Sequence, residues 1–186
     1  MNNNFALKVI ADFDDFAPDQ ESNALNWLFE FRNKYPDFKV TLFTILGRWN
    51  LDLLEYVAKL PWVELAAHGY KHAKNGEVLE WNQAEWFDRL NKYEQTGMFV
   101  RVFKAPNWEM SPLGYEILKE LGWAVAVRRH QVREVPEGMS YYSFEDNFFS
   151  VHGHTWTMGA HKQEGMFSRW VKETAFDFVS SNLETK

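Results

Sequence analysis

The chain has 186 residues, a mass of 22.0 kDa, a net charge of −6 and a pI of about 5.5. That length suits one domain, and the acidic balance excludes broad nucleic-acid binding, which needs a basic surface. With 46% hydrophobic and 25% charged residues the chain is not disordered, and no apolar run is long enough to span a membrane. Zero cysteines remove disulfides, thiol nucleophiles and cysteine-ligated zinc together. Met1-Asn-Asn-Asn leads straight into a strand-like run without a basic start and cleavage site, so the cytoplasm is the expected compartment.

The pattern alternates strand and helix. Phe5–Phe13 reads as a strand. Asp19 or Ser22 caps a helix carrying Leu25, Leu28, Phe29 and Phe31, which ends before Pro36. Phe38–Leu46 is a second strand, and Asn50 caps a helix carrying Leu51, Leu54, Val57 and Ala58, stopped by Pro61. Trp62–Ala67 is a third strand. Asn82 with Glu85 forms a capping box for a helix that runs to Gly97. Met98–Phe103 is a fourth strand, and Ser111, Pro112 and Gly122 bracket a fourth helix. Trp123–Val127 is a fifth strand. A less defined stretch around Met139–Phe144 precedes a strand at Phe148–Val151, and Phe167–Leu183 reads as a final helix. Turn residues are spread evenly, which predicts one continuous domain over 1–186.

Regular β-α-β order implies mostly parallel strands with right-handed crossovers. A full eight-fold barrel takes about 250 residues, so the choice lies between an open doubly wound sheet and a reduced barrel of six or seven strands. In both, ligands gather at the carboxyl ends of the strands.

The chemistry-bearing residues fall at those ends. Asp14 and Asp15 follow the first strand, where one carboxylate can hold a metal and its neighbour can act as a base. His68 and His72 follow the third, and on a helical turn their spacing of four faces both rings the same way. Two His and a carboxylate make a three-ligand site with open positions for water and substrate. Lys104-Ala-Pro106-Asn-Trp108 follows the fourth strand and sets a cation, a rigid proline and an aromatic face beside that site. His152-Gly-His154-Thr-Trp156 follows the last strand. Aromatics make up 17% of the chain, including nine Trp. Trp49, Trp81, Trp108 and Trp156 fall in or near rim loops, with Trp108 and Trp156 the best placed to stack on a sugar. Trp27, Trp86, Trp123 and Trp170 read as packing. Arg128, Arg129 and Arg133 either meet an anionic substrate group or line a solvated loop.

Phe13-Asp14-Asp15, His68-x-x-x-His72, Lys104-x-Pro106 and Phe149-x-x-His152 resemble the ordered motifs of the polysaccharide deacetylase (NodB-homology) family, carbohydrate esterase family 4, from about Val9 to Trp156. The resemblance implies a distorted, reduced (β/α) barrel and metal-dependent removal of N- or O-acetyl groups from a sugar. It implies Asp14 as catalytic base, Asp15, His68 and His72 as metal ligands and His152 as general acid. Three positions depart from the family pattern. Phe16 stands where a Gly usually follows the Asp pair, Lys104 stands where the third motif begins with Arg, and no Asp-x-x-Asp-Trp-like motif follows Trp123.

The residues support the same mechanism. A divalent ion held by two neutral His and one carboxylate keeps net positive charge and can acidify water. The leaving amine needs a proton, which suits a His with its ordinary pKa of about 6.5. His152 is favoured because it lies nearest the apolar strand; His154 is its rival. The expected cofactor is one divalent ion, zinc first, with cobalt or nickel fitting the same ligands. The expected partner is a carbohydrate, contacted by Lys104, Pro106, Trp108, His154 and Trp156, with no nucleic acid and no membrane insertion. Removal of N-acetyl is favoured over O-acetyl. The competing readings are an amidohydrolase acting on a non-sugar amide and a carbohydrate-binding relative that has lost catalysis.

Overall fold

Along β1 (Lys8–Phe16), Val9, Ala11 and Phe13 join one buried apolar cluster while Ile10 joins another, as the two faces of a strand require. The computed structural model describes residues 8–17, 24–72, 76–144, 150–154 and 175–186. After β1 the chain forms α1 (Ala24–Lys34), β2 (Val40–Thr44), α2 (Leu51–Ala58), β3 (Val63–Ala67), α3 (Gln83–Thr96), β4 (Phe99–Lys104), α4 (Pro112–Glu120), β5 (Ala124–Arg128), β6 (Ser140–Phe144), β7 (Ser150–His154), β8 (Ala175–Asp177) and β9 (Glu184–Thr185).

The helix ends follow their local chemistry. The Asn50 side chain accepts from the Asp52 N–H at 2.9 Å. Asn82 and Glu85 cap each other reciprocally, and Gly97 closes α3 in the left-handed conformation at φ 66°. Ser111 accepts from the Gly114 N–H ahead of Pro112. Leu51, expected on the buried face of α2, is 55% exposed, because only Leu54 and Val57 point at the sheet.

The strands lie in the order β7-β1-β2-β3-β4-β5-β6-β9, with β8 also beside β1; every pairing is parallel except β6 with β9. Helices cover the outer face through one large cluster that includes Phe13, Leu28, Trp86 and Leu118. The inner cluster takes Ile10 from β1, Phe43 from β2, Ala66 from β3, Val102 from β4, Ala126 from β5 and Phe144 from β6. One cluster can touch six strands only if the sheet curls strongly around it, as in a reduced barrel. Among the described residues no ladder joins β6 to β7.

β7 pairs directly with β1, His152 opposite Asp12 and His154 opposite Asp14. Two expectations change. The first strand does not stop at Phe13 but continues to Phe16. The expected helix over Phe167–Leu183 lies partly outside the described residues; its described part is instead β8 and a short turn at Val179–Asn182. Phe176, Val179 and Leu183 recur at helical spacing, but the segment is held instead by polar anchors.

Those anchors centre on Glu64, a buried carboxyl of β3. It accepts from Thr41 Oγ1 at 2.9 Å, from the Ser180 N–H at 3.2 Å and from the Ser180 hydroxyl, while the Val179 N–H donates to Thr41 Oγ1 at 3.1 Å. Burial pushes the Glu64 carboxyl above its ordinary value of 4.5, against the opposing hydrogen bonds from Ser180 and Thr41. A raised acid favours the protonated folded state. Its contribution is therefore full below the ordinary value and is lost as pH rises through the raised one. Glu64→Gln stays neutral and can accept and donate in the same positions. Its melting temperature should gain on wild type as pH is raised from about 4.5 toward 8; thermal melts across that range check this, and a constant difference would acquit Glu64.

Candidate metal centre

Two residues of β1, Asp14 and Asp15, oppose one residue of β2, since Phe13 pairs with Leu42 and Phe16 with Thr44. This bulge puts Asp15 in the left-handed region, at φ 59°. In a regular strand consecutive carboxylates would face opposite sides of the sheet. Here both reach the carboxyl end of the barrel interior. Asp14 is 2% exposed and contacts the β4 side, while Asp15 turns toward the exit of β3.

Asp15 Oδ1 lies 3.4 Å from His68 Nε2 and 3.2 Å from His72 Nε2. One donor atom from each of the three residues falls within 4.8 Å of the others. Donors about 2.0–2.2 Å from a shared ion stand roughly 3–3.5 Å apart, so the observed separations from Asp15 suit a single divalent ion. The tautomer fits as well. His68 Nδ1 donates to the Lys104 carbonyl at 2.9 Å, and because a carbonyl only accepts, the lone pair is left on Nε2, facing Asp15.

The two rings do not converge by helical spacing as the sequence suggested. Residues 68–72 form a turn, with Gly69 at φ 65° and His72 at φ 48°. The Glu77 carboxylate holds that turn. Its Oε2 accepts from the N–H groups of Tyr70 (3.2 Å) and His72 (2.8 Å), and its Oε1 from that of Lys71 (2.9 Å). A methyl group on Gly69 would fall 2.7 Å from Glu77 Oε2 and from Pro106 Cγ, so glycine is needed for close approach as well as for its φ. The Tyr93 hydroxyl shares its one proton between the carbonyls of Thr44 and Gly69, each at 2.7 Å, and accepts from the Leu46 N–H, tying the exits of β2 and β3; burial raises its pKa.

Glu77 and Tyr93 escaped sequence reading. An acid in a loop and a tyrosine on a helix carry no motif, although the glycine inside His68-Gly-Tyr-Lys-His72 signalled a turn. Glu77→Ala should weaken ion binding about 10–100-fold, the usual worth of a group that orients a ligand. Glu77→Gln should fall between, since one oxygen can serve Tyr70 and His72 while the amide opposes the Lys71 N–H. Titration of each variant with zinc checks the order; equal affinities would remove the clamp.

Lys104 was expected to touch substrate and is instead fully buried. Its ammonium lies 2.7 Å from Asp14 Oδ1 and also bonds Asp12, and it stands 4.2 Å from the Trp108 ring centroid and 4.7 Å from that of Phe43. Two buried carboxylates need a compensating charge, which this cation supplies. Lys104 thus orients His68 through its carbonyl and holds Asp14 through its side chain. Pro106, also expected at the substrate, is buried against the Gly69 turn. Asn107 (φ 54°) and Trp108 (φ 63°) follow it in the left-handed region, so among the described residues all non-glycine positive φ angles lie at the exits of β1, β3 and β4.

Trp108 is half-buried at the mouth, 6.0 Å from the Phe144 ring. Trp81, expected at the rim, is instead core, packed edge-on against Trp86 and Phe103. Trp49 packs on Phe16 and donates to its carbonyl. For His152 and His154 the backbone register beside Asp12 and Asp14 is defined. Trp156 lies outside the described residues.

The site therefore joins a three-donor cation cradle to a separately held buried carboxylate at the mouth of a parallel, curled sheet, and the chain has the fold of the family 4 carbohydrate esterases. It is similar to a family 4 carbohydrate esterase from Streptomyces lividans in complex with acetate, at 16% identity over 81% of this chain and 80% of that one, with a TM-score of 0.56. A family 4 acetyl xylan esterase from Clostridium thermocellum, in complex with a cobalt ion, matches at 13% identity over 94% and 89%, with a TM-score of 0.60. A family 4 pseudoenzyme from Bacillus anthracis matches at 17% identity over 95% of this chain and 65% of that one, with a TM-score of 0.64. At these identities the likeness speaks for the fold. No family model and no curated protein matches the chain.

Proposed function

We propose that this protein is a metal-dependent hydrolase that removes acetyl groups from a sugar or polysaccharide precursor. The observation that carries the reading is the cluster of Asp15, His68 and His72 beside Asp14, a second carboxylate held by different partners. Two imidazoles and a carboxylate suit zinc, and cobalt or nickel accept the same donors. An ion bound there supplies Lewis acidity toward an acetyl carbonyl and acidifies water. Asp14 takes the proton from the attacking water, fixed for that task by Lys104.

Loss of an amine needs a proton donor, and β7 brings two histidines to the strand beside β1. This favours N-acetyl over O-acetyl substrates. His152 was the first choice as donor. The register supports His154, which stands level with Asp14, whereas His152 stands level with Asp12, one layer deeper.

A second reading, a carbohydrate-binding relative without catalysis, is favoured by the engagement of the buried Asp14 by Lys104 and by the likeness to a pseudoenzyme. One experiment separates the two. Protein stripped with a chelator is reloaded with one equivalent of zinc, cobalt or nickel, and acetate release is followed from N-acetylated oligosaccharides and from O-acetylated xylan. Metal-restored release supports the hydrolase. Stoichiometric binding of the ion with no release from either substrate class overturns it in favour of the second reading.

A further inference from the structure

The exit of β5 adds a charge that the proposed deacetylation step does not use. Arg128 is the last residue of β5, and its side chain is exposed. Its guanidinium carbon lies 5.0 Å from the centroid of Trp108. The same ring is 4.2 Å from the Lys104 ammonium, which lies 2.7 Å from Asp14. Trp108 therefore links the buried ion cluster to an exposed cation at the rim.

This is a seat built by several residues. Gln131 fixes its two halves to each other. Its Nε2 donates to the Trp108 carbonyl at 2.6 Å, and its Oε1 accepts from the Arg128 N–H at 3.1 Å. From inside, Trp108 rests against Phe144 and over Lys104. A guanidinium beside an aromatic ring can turn its N–H fork outward, where it matches the paired oxygens of a carboxylate or phosphate. Among the described residues no carboxylate lies within ion-pair distance of Arg128. A side chain held this way loses little freedom when it binds.

We propose that Arg128 is a specificity residue that reads an anionic group on the substrate, a carboxylate of a uronic acid or a phosphate, next to the acetylated sugar. The proposal rests on the deacetylase reading for the identity of the sugar, but the anion site itself is testable without turnover.

Wild type, Arg128→Gln and Arg128→Lys are compared on three acetylated oligosaccharides of equal length: one neutral, one bearing a uronate and one bearing a phosphate. Acetate release and calorimetric binding are both measured, at low and high salt. Wild type should favour one anionic sugar over the neutral one by about tenfold, through KM and not kcat, with the preference shrinking in salt. Arg128→Gln should erase that preference, so that the anionic sugars are handled like the neutral one. Arg128→Lys should keep part of it, lacking the fork. Which anion is preferred identifies its source. Equal handling of all three sugars by wild type, in binding as well as turnover, overturns the proposal, as does a preference that survives Arg128→Gln. If no sugar is deacetylated but the binding preference is present and Arg128-dependent, the anion site stands and the hydrolase reading falls.

Discussion

Asp14→Asn is expected to lose nearly all turnover, by about 10²–10⁴-fold, while still binding one divalent ion. The amide cannot accept a proton from water, and none of the three clustered donor atoms belongs to Asp14. The fold should survive. An asparagine oxygen can still face Lys104, which keeps Asp12 as its other partner, and the volume is unchanged. Acetate release and metal content measured on the same sample check the pair of outcomes. Asp15→Asn is the internal control, because it should lower ion affinity itself. If Asp14→Asn lost the ion and Asp15→Asn kept it, the division of labour between the two carboxylates would be reversed.

In the sequence the pair reads as two adjacent carboxylates at the end of a strand, and their separate roles are implied by the family resemblance. What separates them physically was not legible. A bulge is a local shift in register, and it leaves no mark beyond the Asp-Asp pair itself. The caps of α2, α3 and α4 were readable because each is set by side chains within three residues of the helix start. The last described segment was misread because its order comes from Glu64 and Thr41, more than a hundred residues away in the chain. The same holds for Lys104. Next to Pro106 and Trp108 a lysine reads as a rim cation. Only the parallel packing of β4 within the curled sheet brings it to Asp12 and Asp14 and buries all three. The place of β7 beside β1 is likewise a property of sheet order, which chain order does not fix. Motif residues were thus found by type and position, and their supports were missed because those act across strands.

His68→Ala and His72→Ala should both lose stoichiometric ion, but they should differ in what else they lose. His68 is 2% exposed, and its Nδ1 satisfies the Lys104 carbonyl at 2.9 Å. Truncation opens a cavity under the mouth and removes the imidazole's hydrogen bond to that carbonyl, a bond worth about 0.5–1.5 kcal/mol before the cavity is counted. For a chain of this size each kcal/mol lowers Tm by about 2–4 °C. His72 is half-buried, at the end of a turn that Glu77 holds through backbone N–H groups, and those bonds do not need the imidazole. Metal-free His72→Ala should therefore melt with metal-free wild type, and metal-free His68→Ala several degrees lower. Adding zinc at a hundred times its Kd should stabilise wild type by about 2.7 kcal/mol and move neither variant. Melting curves with and without zinc, alongside metal analysis, give all six values. A His72→Ala protein that still gains stability from zinc at that concentration would take His72 out of the ligand set and leave an ion site built on Asp15 and His68 alone.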